Sequence, residues 1–171
     1  MKILITGSNG FLGAYLSKFS ADRNMQVVCT AKKRADFQSP LFECLDITDP
    51  VPLKCLFDLN PPDVLINNPG AFTDRPLGEL TLEGFRDQID VNLTGAFAVT
   101  TAFLPAMRER GTGHLFFMGS VASLMAYPGN AGYCAAKHGL RGLARVVRAE
   151  TKDEGLRVTT VLPGATDTPT W

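Results

Sequence analysis

Lys2-Ile3-Leu4-Ile5-Thr6-Gly7-Ser8-Asn9-Gly10-Phe11-Leu12-Gly13 opens the chain with a strand-length apolar run that passes straight into a glycine-rich turn. Lys2 to Thr6 predicts a buried strand, and a helix is expected over Leu12 to Asp22. Gly7, Gly10 and Gly13 stand at three-residue spacing between the two. Glycines in that place let backbone N–H groups and a helix N-terminus approach a pyrophosphate. Thr6 and Ser8 add hydroxyl donors to the same loop. Three glycines exceed what a tight strand-to-helix contact needs, so residues 6–13 read as a dinucleotide cradle.

Outward from this stretch the pattern repeats. Strand-length runs are expected at Gln26 to Thr30, Leu41 to Leu45, Val64 to Asn67, His114 to Met118 and Val158 to Leu162. Helices are expected at Val51 to Asp58, at Leu82 to Arg110 in one or two pieces, and at Tyr133 to Glu154, with Gly111 and Gly155 as stops. Phe72 to Thr81, which holds Pro76 and Gly78, predicts a loop. Alternating strands and helices mean βαβ units, hence a doubly wound parallel sheet whose ligand crevice lies at the carboxyl ends of its strands. Four of those ends carry unusual residues: Gly7 to Gly10, Asn67-Asn68-Pro69-Gly70, Gly119-Ser120 and Pro163-Gly164. Four loops are therefore expected to face one crevice.

The 171 residues carry 17 Lys plus Arg against 17 Asp plus Glu, and 45% are apolar. A chain of this size builds a core without disulfides or metals, as one domain. Zero net charge gives no electrostatic reason for nucleic acid or an anionic membrane as partner. No signal-peptide pattern opens the chain and no run of about 18 apolar residues predicts a membrane span. Cys29, Cys44, Cys55 and Cys134 form no C-x-x-C pair and stand apart from His114 and His138, so no metal site is expected. Those observations predict a cytoplasmic protein with reduced thiols.

Sites for NAD commonly place an acid about 20 residues beyond the glycines, to bond the ribose 2′-OH. Here Thr30 and Ala31 occupy that place, followed by Lys32, Lys33 and Arg34. Cations without a carboxylate suit a 2′-phosphate, which predicts NADP(H) over NAD(H).

Tyr133 and Lys137 are four residues apart on one expected helix face. A neighbouring ammonium favours a phenolate, so Lys137 is expected to lower the phenol pKa. Ser120, 13 residues before Tyr133, ends a strand and can aim its hydroxyl at the same carbonyl oxygen. A hydroxyl donor and a phenolic acid together polarise a carbonyl and protonate the resulting alkoxide. Asn92 is polar within an apolar helical stretch, where an amide must find partners, structural or catalytic. His114 and His138 have no carboxylate at triad spacing, which leaves Ser-His-Asp hydrolysis unsupported.

These residues resemble the short-chain dehydrogenase/reductases. Asn67-Asn68-Pro69-Gly70 is similar to the family's Asn-Asn-Ala-Gly, and Asn92, Ser120, Tyr133 and Lys137 fall at its tetrad spacings. Pro163-Gly164 with Thr166 and Thr168 resembles the motif that contacts the nicotinamide. The resemblance implies Tyr133 as acid/base, Lys137 on the nicotinamide ribose, Ser120 orienting the carbonyl and Asn92 supporting a relay water. It also implies Asp46 and Ile47 at adenine, and Asn68, Pro69 and Gly70 beside the adenosine ribose.

Residues 1 to about 70 resemble extended members such as dTDP-4-dehydrorhamnose reductase, because Thr6-Gly7-x-x-Gly10-x-x-Gly13 replaces the Thr-Gly-x-x-x-Gly-x-Gly of ordinary members. The remainder resembles ordinary single-domain carbonyl reductases. Pro69 replaces the usual Ala and removes a backbone donor. The expectation is one Rossmann domain over residues 1–171, strand order 3-2-1-4-5-6, without the usual last strand and most of the substrate-covering segment. It is expected to act as an NADP(H)-dependent oxidoreductase on a small carbonyl or alcohol, as a homodimer or homotetramer. A non-catalytic NADP(H)-binding module and a nucleotide-sugar reductase or epimerase are the alternative readings.

Overall fold

The computed structural model describes residues 1–31, 42–44, 46–47 and 61–165. Within them a parallel sheet is built from β1 (Lys2–Thr6), β2 (Gln26–Ala31), β3 (Phe42–Cys44), β4 (Val64–Asn67), β5 (Gly113–Met118) and β6 (Leu156–Val161). Their order is β3-β2-β1-β4-β5-β6, the doubly wound arrangement expected from the sequence. β1 pairs with β2 on one side (Ile5 opposite Cys29) and with β4 on the other (Ile5 opposite Ile66). The strand order therefore reverses between β1 and β4, where the glycine turn and Asn67–Gly70 emerge side by side.

Ile3, Leu4 and Ile5 are buried because a central parallel strand is covered on both faces. The first face packs Ile3, Ile5, Val27 and Cys29 against Leu16 of α1 (Phe11–Ala21). The second carries the larger core, with Leu4, Leu65, Leu115 and Phe117 beneath Val99, Phe103 and Met107. Those last three belong to a long helical stretch made of α2 (Leu82–Ile89), a π turn (Asp90–Thr94) and α3 (Gly95–Arg110). Length and apolar composition would let Leu82–Arg110 cross a membrane, with a mean hydropathy of 1.2 over its most apolar window. Its packing on the sheet is that of a core helix. Gly111 ends it in the left-handed region at φ 68°, as the sequence predicts.

α4 (Ala131–Glu150) begins two residues before Tyr133, so Tyr133 and Lys137 occupy its first two turns. It stops at Glu150 rather than Glu154: Thr151 still closes on the Val147 carbonyl but leaves helical geometry, and residues 151–155 turn toward β6 through Gly155 at φ 74°. β6 starts at Leu156, two residues earlier than the apolar run suggests, in register with Gly113 of β5. The expected helix Val51 to Asp58 lies outside the described residues.

Candidate active site

At the end of β1 the backbone turns at Gly7 with φ 61°, a conformation side chains resist. A Cβ on Gly7 would stand 2.5 Å from the Asn68 carbonyl oxygen. A Cβ on Gly13 would meet Ser8 Cα at 2.7 Å and the Gly7 carbonyl closer still. Gly13 is thus required by packing within the turn, and Gly7 by its positive φ and by the loop after β4 that lies against it. Thr6 Oγ1 donates to the Ile66 carbonyl (3.3 Å) and accepts from Asn68 N (3.0 Å), and the Asn68 amide donates to the Gly7 carbonyl (3.2 Å). Ser8 Oγ donates to the Thr30 carbonyl (3.1 Å). The hydroxyls of Thr6 and Ser8 therefore stitch the loops together.

Ser120 follows β5 and caps the 3₁₀ turn Val121–Ser123, its Oγ accepting from Ala122 N at 3.1 Å. Val121 N donates to the Pro163 carbonyl (3.0 Å), which ties this loop to the one after β6. Lys137 is only 3% exposed, and its Nζ donates to the carbonyls of Met118 (3.0 Å) and Pro69 (3.5 Å). One ammonium thus ties the loops after β4 and β5 to α4. Burial lowers its pKa to about 8.

Lys137 Nζ lies 5.5 Å from the centre of the Tyr133 ring. The expected lowering of the phenol pKa by Lys137 is not observed. Burial dominates and raises it, a side-chain hydrogen bond with Ser120 pulls the other way, and Cys134 raises it slightly further. The physical reason is desolvation: the phenolate would lose water, and the ammonium is engaged by two carbonyls.

Asn92 sits in the π turn, fully buried. Its amide donates to the carbonyls of Ala71 (2.8 Å) and Gln88 (3.0 Å), while its Oδ1 has no partner. Two further residues join the site without having been singled out from sequence. Gln88, four residues earlier and 2% exposed, donates to the Thr73 carbonyl at 3.2 Å. Phe72, between those two anchored carbonyls, meets the Tyr133 ring edge-on at 5.5 Å. A buried amide one helical turn from Asn92 is a readable signal for Gln88. Phe72 carried none beyond its place in the loop.

Ser120, Tyr133 and Lys137 are therefore brought together, with Asn92 supporting the loop beside them. Among the cofactor candidates, Asn9, Gly10 and Phe11 are exposed at the turn, and Leu12 is half-buried. Ile47 is buried in the core with its side chain against Gly95, and Asp46 is half-buried. Lys32, Lys33, Arg34, Thr166 and Thr168 lie outside the described residues.

A dinucleotide fits what is present. Gly70 and Gly164 are exposed in the loops that follow β4 and β6, and a Cβ on either would have nothing within 4 Å, which leaves room for a ligand there. Gly10 is exposed at the start of α1, where a Cβ would meet only the Gly7 carbonyl, at 3.5 Å, although that carbonyl already accepts from the Gly10 N–H (3.2 Å). Among the described residues no cluster of side chains could hold a metal ion.

A family model described as short chain dehydrogenase matches residues 1–171. The chain is 30% identical to sepiapterin reductase of Chlorobaculum tepidum, across 99% of this chain and 79% of that protein. It is 33% identical to the 3-oxoacyl-acyl-carrier-protein reductase MabA of Mycobacterium avium, across 97% and 67%. Among solved structures, 4-hydroxyisoleucine dehydrogenase complexed with NADH and succinate is similar at TM-score 0.90 and 27% identity, covering 99% of this chain and 83% of that one. A short chain dehydrogenase from Leptospira borgpetersenii with bound NAD+ is similar at TM-score 0.91 and 25% identity, covering 98% and 72%. Matched along its whole length by one family model, and folded as those dehydrogenases are, this chain belongs to the short-chain dehydrogenase family and is an oxidoreductase of CH–OH and C=O groups.

Proposed function

We propose that the chain is an NADP(H)-dependent reductase of carbonyl compounds in which Tyr133 is the proton donor. The observation that carries this reading is the placement of Tyr133 beside the buried Lys137, whose Nζ lies 5.5 Å from the centre of its ring, with Ser120 near enough to pull the phenol pKa down. The dinucleotide supplies the hydride. Ser120 and Tyr133 hold the carbonyl oxygen, and the phenol gives up its proton as that oxygen gains charge. A phenol whose pKa burial raises is protonated at neutral pH, the state a reduction needs. Lys137, with two of its three ammonium protons on Met118 and Pro69, keeps one to donate to the nicotinamide ribose. Asn92 holds the loop after β4 in place.

The cofactor site in this reading comprises Thr6, Gly7, Ser8, Asn9, Gly10, Phe11, Leu12 and Gly13, with Asn68, Pro69, Gly70, Tyr133, Lys137, Pro163 and Gly164 at neighbouring strand ends. Asp46 and Ile47 border the adenine, Thr166 and Thr168 the nicotinamide, and Lys32, Lys33 and Arg34 the 2′-phosphate. Residues 1–171 form one such domain, in a cytoplasmic protein. Phe97 on α3 and Val146 on α4 are exposed apolar residues that suit pairing between copies through those helices. Light scattering that gives a monomer at micromolar concentration would remove the oligomer from this reading.

The test is Tyr133→Phe, which should abolish reductase turnover while a thermal-shift titration still detects NADPH at lower concentration than NADH. Full turnover in the variant would sink the reading. The glycine spacing of the turn supports a second substrate arm, a dTDP-keto sugar, whose reduction in place of simple carbonyls would select the nucleotide-sugar alternative. Tight NADPH binding with no turnover on either arm would select the non-catalytic module.

A further inference from the structure

Gln88 is 2% exposed, and its side-chain Oε1 is buried without a hydrogen-bond partner. A methionine would fill the same space without that oxygen. Buried polar atoms left unpaired weaken a fold, and the places where a chain keeps them are where geometry serves function.

The Gln88 side chain touches the frame of Tyr133 at two points. Its amide donates to the Thr73 carbonyl (3.2 Å), in the loop whose Phe72 ring meets the Tyr133 ring edge-on at 5.5 Å. Its stem packs on Gly132, the residue before Tyr133, where a Cβ would stand 3.1 Å from Gln88 Cβ and 3.4 Å from Gln88 Cγ. Glycine thus lets the first turn of α4 approach α2 closely. That turn lacks a local cap: the Asn130 side chain makes no capping bond, and its Oδ1 is unpartnered. Gln88 is itself held, since its backbone carbonyl accepts from the Asn92 amide (3.0 Å). Where α4 starts is therefore set by contact with α2 rather than by a capping side chain.

On the reading that Tyr133 is the proton donor, we infer that Gln88 is a positioning residue: bonded to the Thr73 carbonyl and packed on Gly132, its side chain fixes the first turn of α4, and with it the Tyr133 phenol, against the loop after β4. Gln88 moves no proton; it acts through the backbone that carries Tyr133 and through the loop that carries Phe72. Gln88→Met keeps the stem and breaks the tie to Thr73. Gly132→Ala keeps Gln88 and pushes the turn off its stem. Either change lets water back to the phenol ring, whose raised pKa is owed first to burial, so its titration moves down toward the ordinary 10.0.

The test uses the full chain and NADPH. Isotope labelling of tyrosine Cζ gives three NMR signals, from Tyr15, Tyr127 and Tyr133, with the last assigned by Tyr133→Phe. Ser120, Cys134 and Lys137, the hydrogen-bonding and ionisable groups beside the ring, are untouched by either variant. Gln88→Met and Gly132→Ala should each lower the Tyr133 midpoint and leave those of Tyr15 and Tyr127 in place. Each should also lower kcat for acetophenone about tenfold and change KM by less than about twofold. The double variant should fall no further than the larger single, because both act on one contact. A Tyr133 midpoint that stays put in both variants, whatever their melting temperatures do, would overturn the assignment, as would additive losses. The titration requires no turnover. A midpoint that moves while Tyr133→Phe reduces acetophenone as wild type does upholds the positioning and removes Tyr133 as proton donor. An inactive Tyr133→Phe with an unmoved midpoint in both variants does the reverse.

Discussion

Lys137 Nζ lies 3.0 Å from the carbonyl oxygen of Met118, the last residue of β5, and this contact locks the second turn of α4 onto the sheet. The ammonium is buried and its pKa falls to about 8 from 10.5. Between those two values the unfolded chain binds more protons than the folded one. Stability from this group is therefore lowest below pH 8 and rises as pH climbs toward 10.5. The full rise corresponds to about 3 kcal/mol. Urea unfolding of wild type and Lys137→Met across this window should show the rise in wild type alone, and parallel curves would refute it.

Burial raises the Tyr133 pKa, so its phenol is the resting form through the neutral range. In the proposed reaction, reduction uses the phenol and oxidation uses the phenolate. kcat/KM for reduction should be flat around neutrality. That for oxidation of 1-phenylethanol should climb by about one log unit per pH unit into the alkaline range. An oxidation profile that levels off at neutral pH would show the phenolate to be stabilised after all.

Gly13 and Gly10 are expected to respond differently to the same added methyl group. On Gly13 it collides with the backbone of Gly7 and Ser8, whereas on Gly10 it reaches only ordinary contact with the Gly7 carbonyl. Gly13→Ala should cost about 1–3 kcal/mol of stability through overpacking. Gly10→Ala should cost less than about 1 kcal/mol, from a poorer helix cap. Thermal unfolding of both without cofactor separates these effects from dinucleotide binding.

Gln88→Leu and Asn92→Leu each strip an amide donor from a carbonyl of the loop that carries Phe72. Ala71 is half-buried and Thr73 exposed, so water replaces part of what is lost and each bond is worth about 0.5–1.5 kcal/mol. The two residues hold one loop, so the double variant should lose less than the sum of the singles. Strict additivity in denaturant unfolding would show that Ala71 and Thr73 are anchored independently.

The strand order and the meeting of Ser120, Tyr133 and Lys137 were legible because they depend on periodicity and on where parallel strands end. Apolar runs mark β1, β2, β4, β5 and β6, and glycines mark the turn and the stop at Gly111. The protonation of Tyr133 was not legible. Its direction follows from how much water the ring loses and from carbonyls of Met118 and Pro69 competing for the ammonium, neither of which spacing reveals. Phe72 and Gln88 escaped for a related reason: their roles arise from hydrogen bonds between a loop and a helix edge 15 residues apart in sequence. The start of α4 at Ala131, ahead of Tyr133, also depended on geometry, since Asn130 caps it without a side-chain hydrogen bond.

The π turn at Asp90–Thr94 holds one more residue than an α-helix would place there. Losing a single codon at Val91 would let the backbone close into a regular helix, yet everything before the deletion would rotate by about 100° relative to α3. Gln88 would swing away from Thr73 while Met107 and Val99 kept their seats in the core. Such a deletion separates foldability from loop geometry: the chain could gain helical regularity and lose the loop that packs on Tyr133, so the irregular turn acts as a phase setting between the half of the helix that builds the core and the half that anchors that loop.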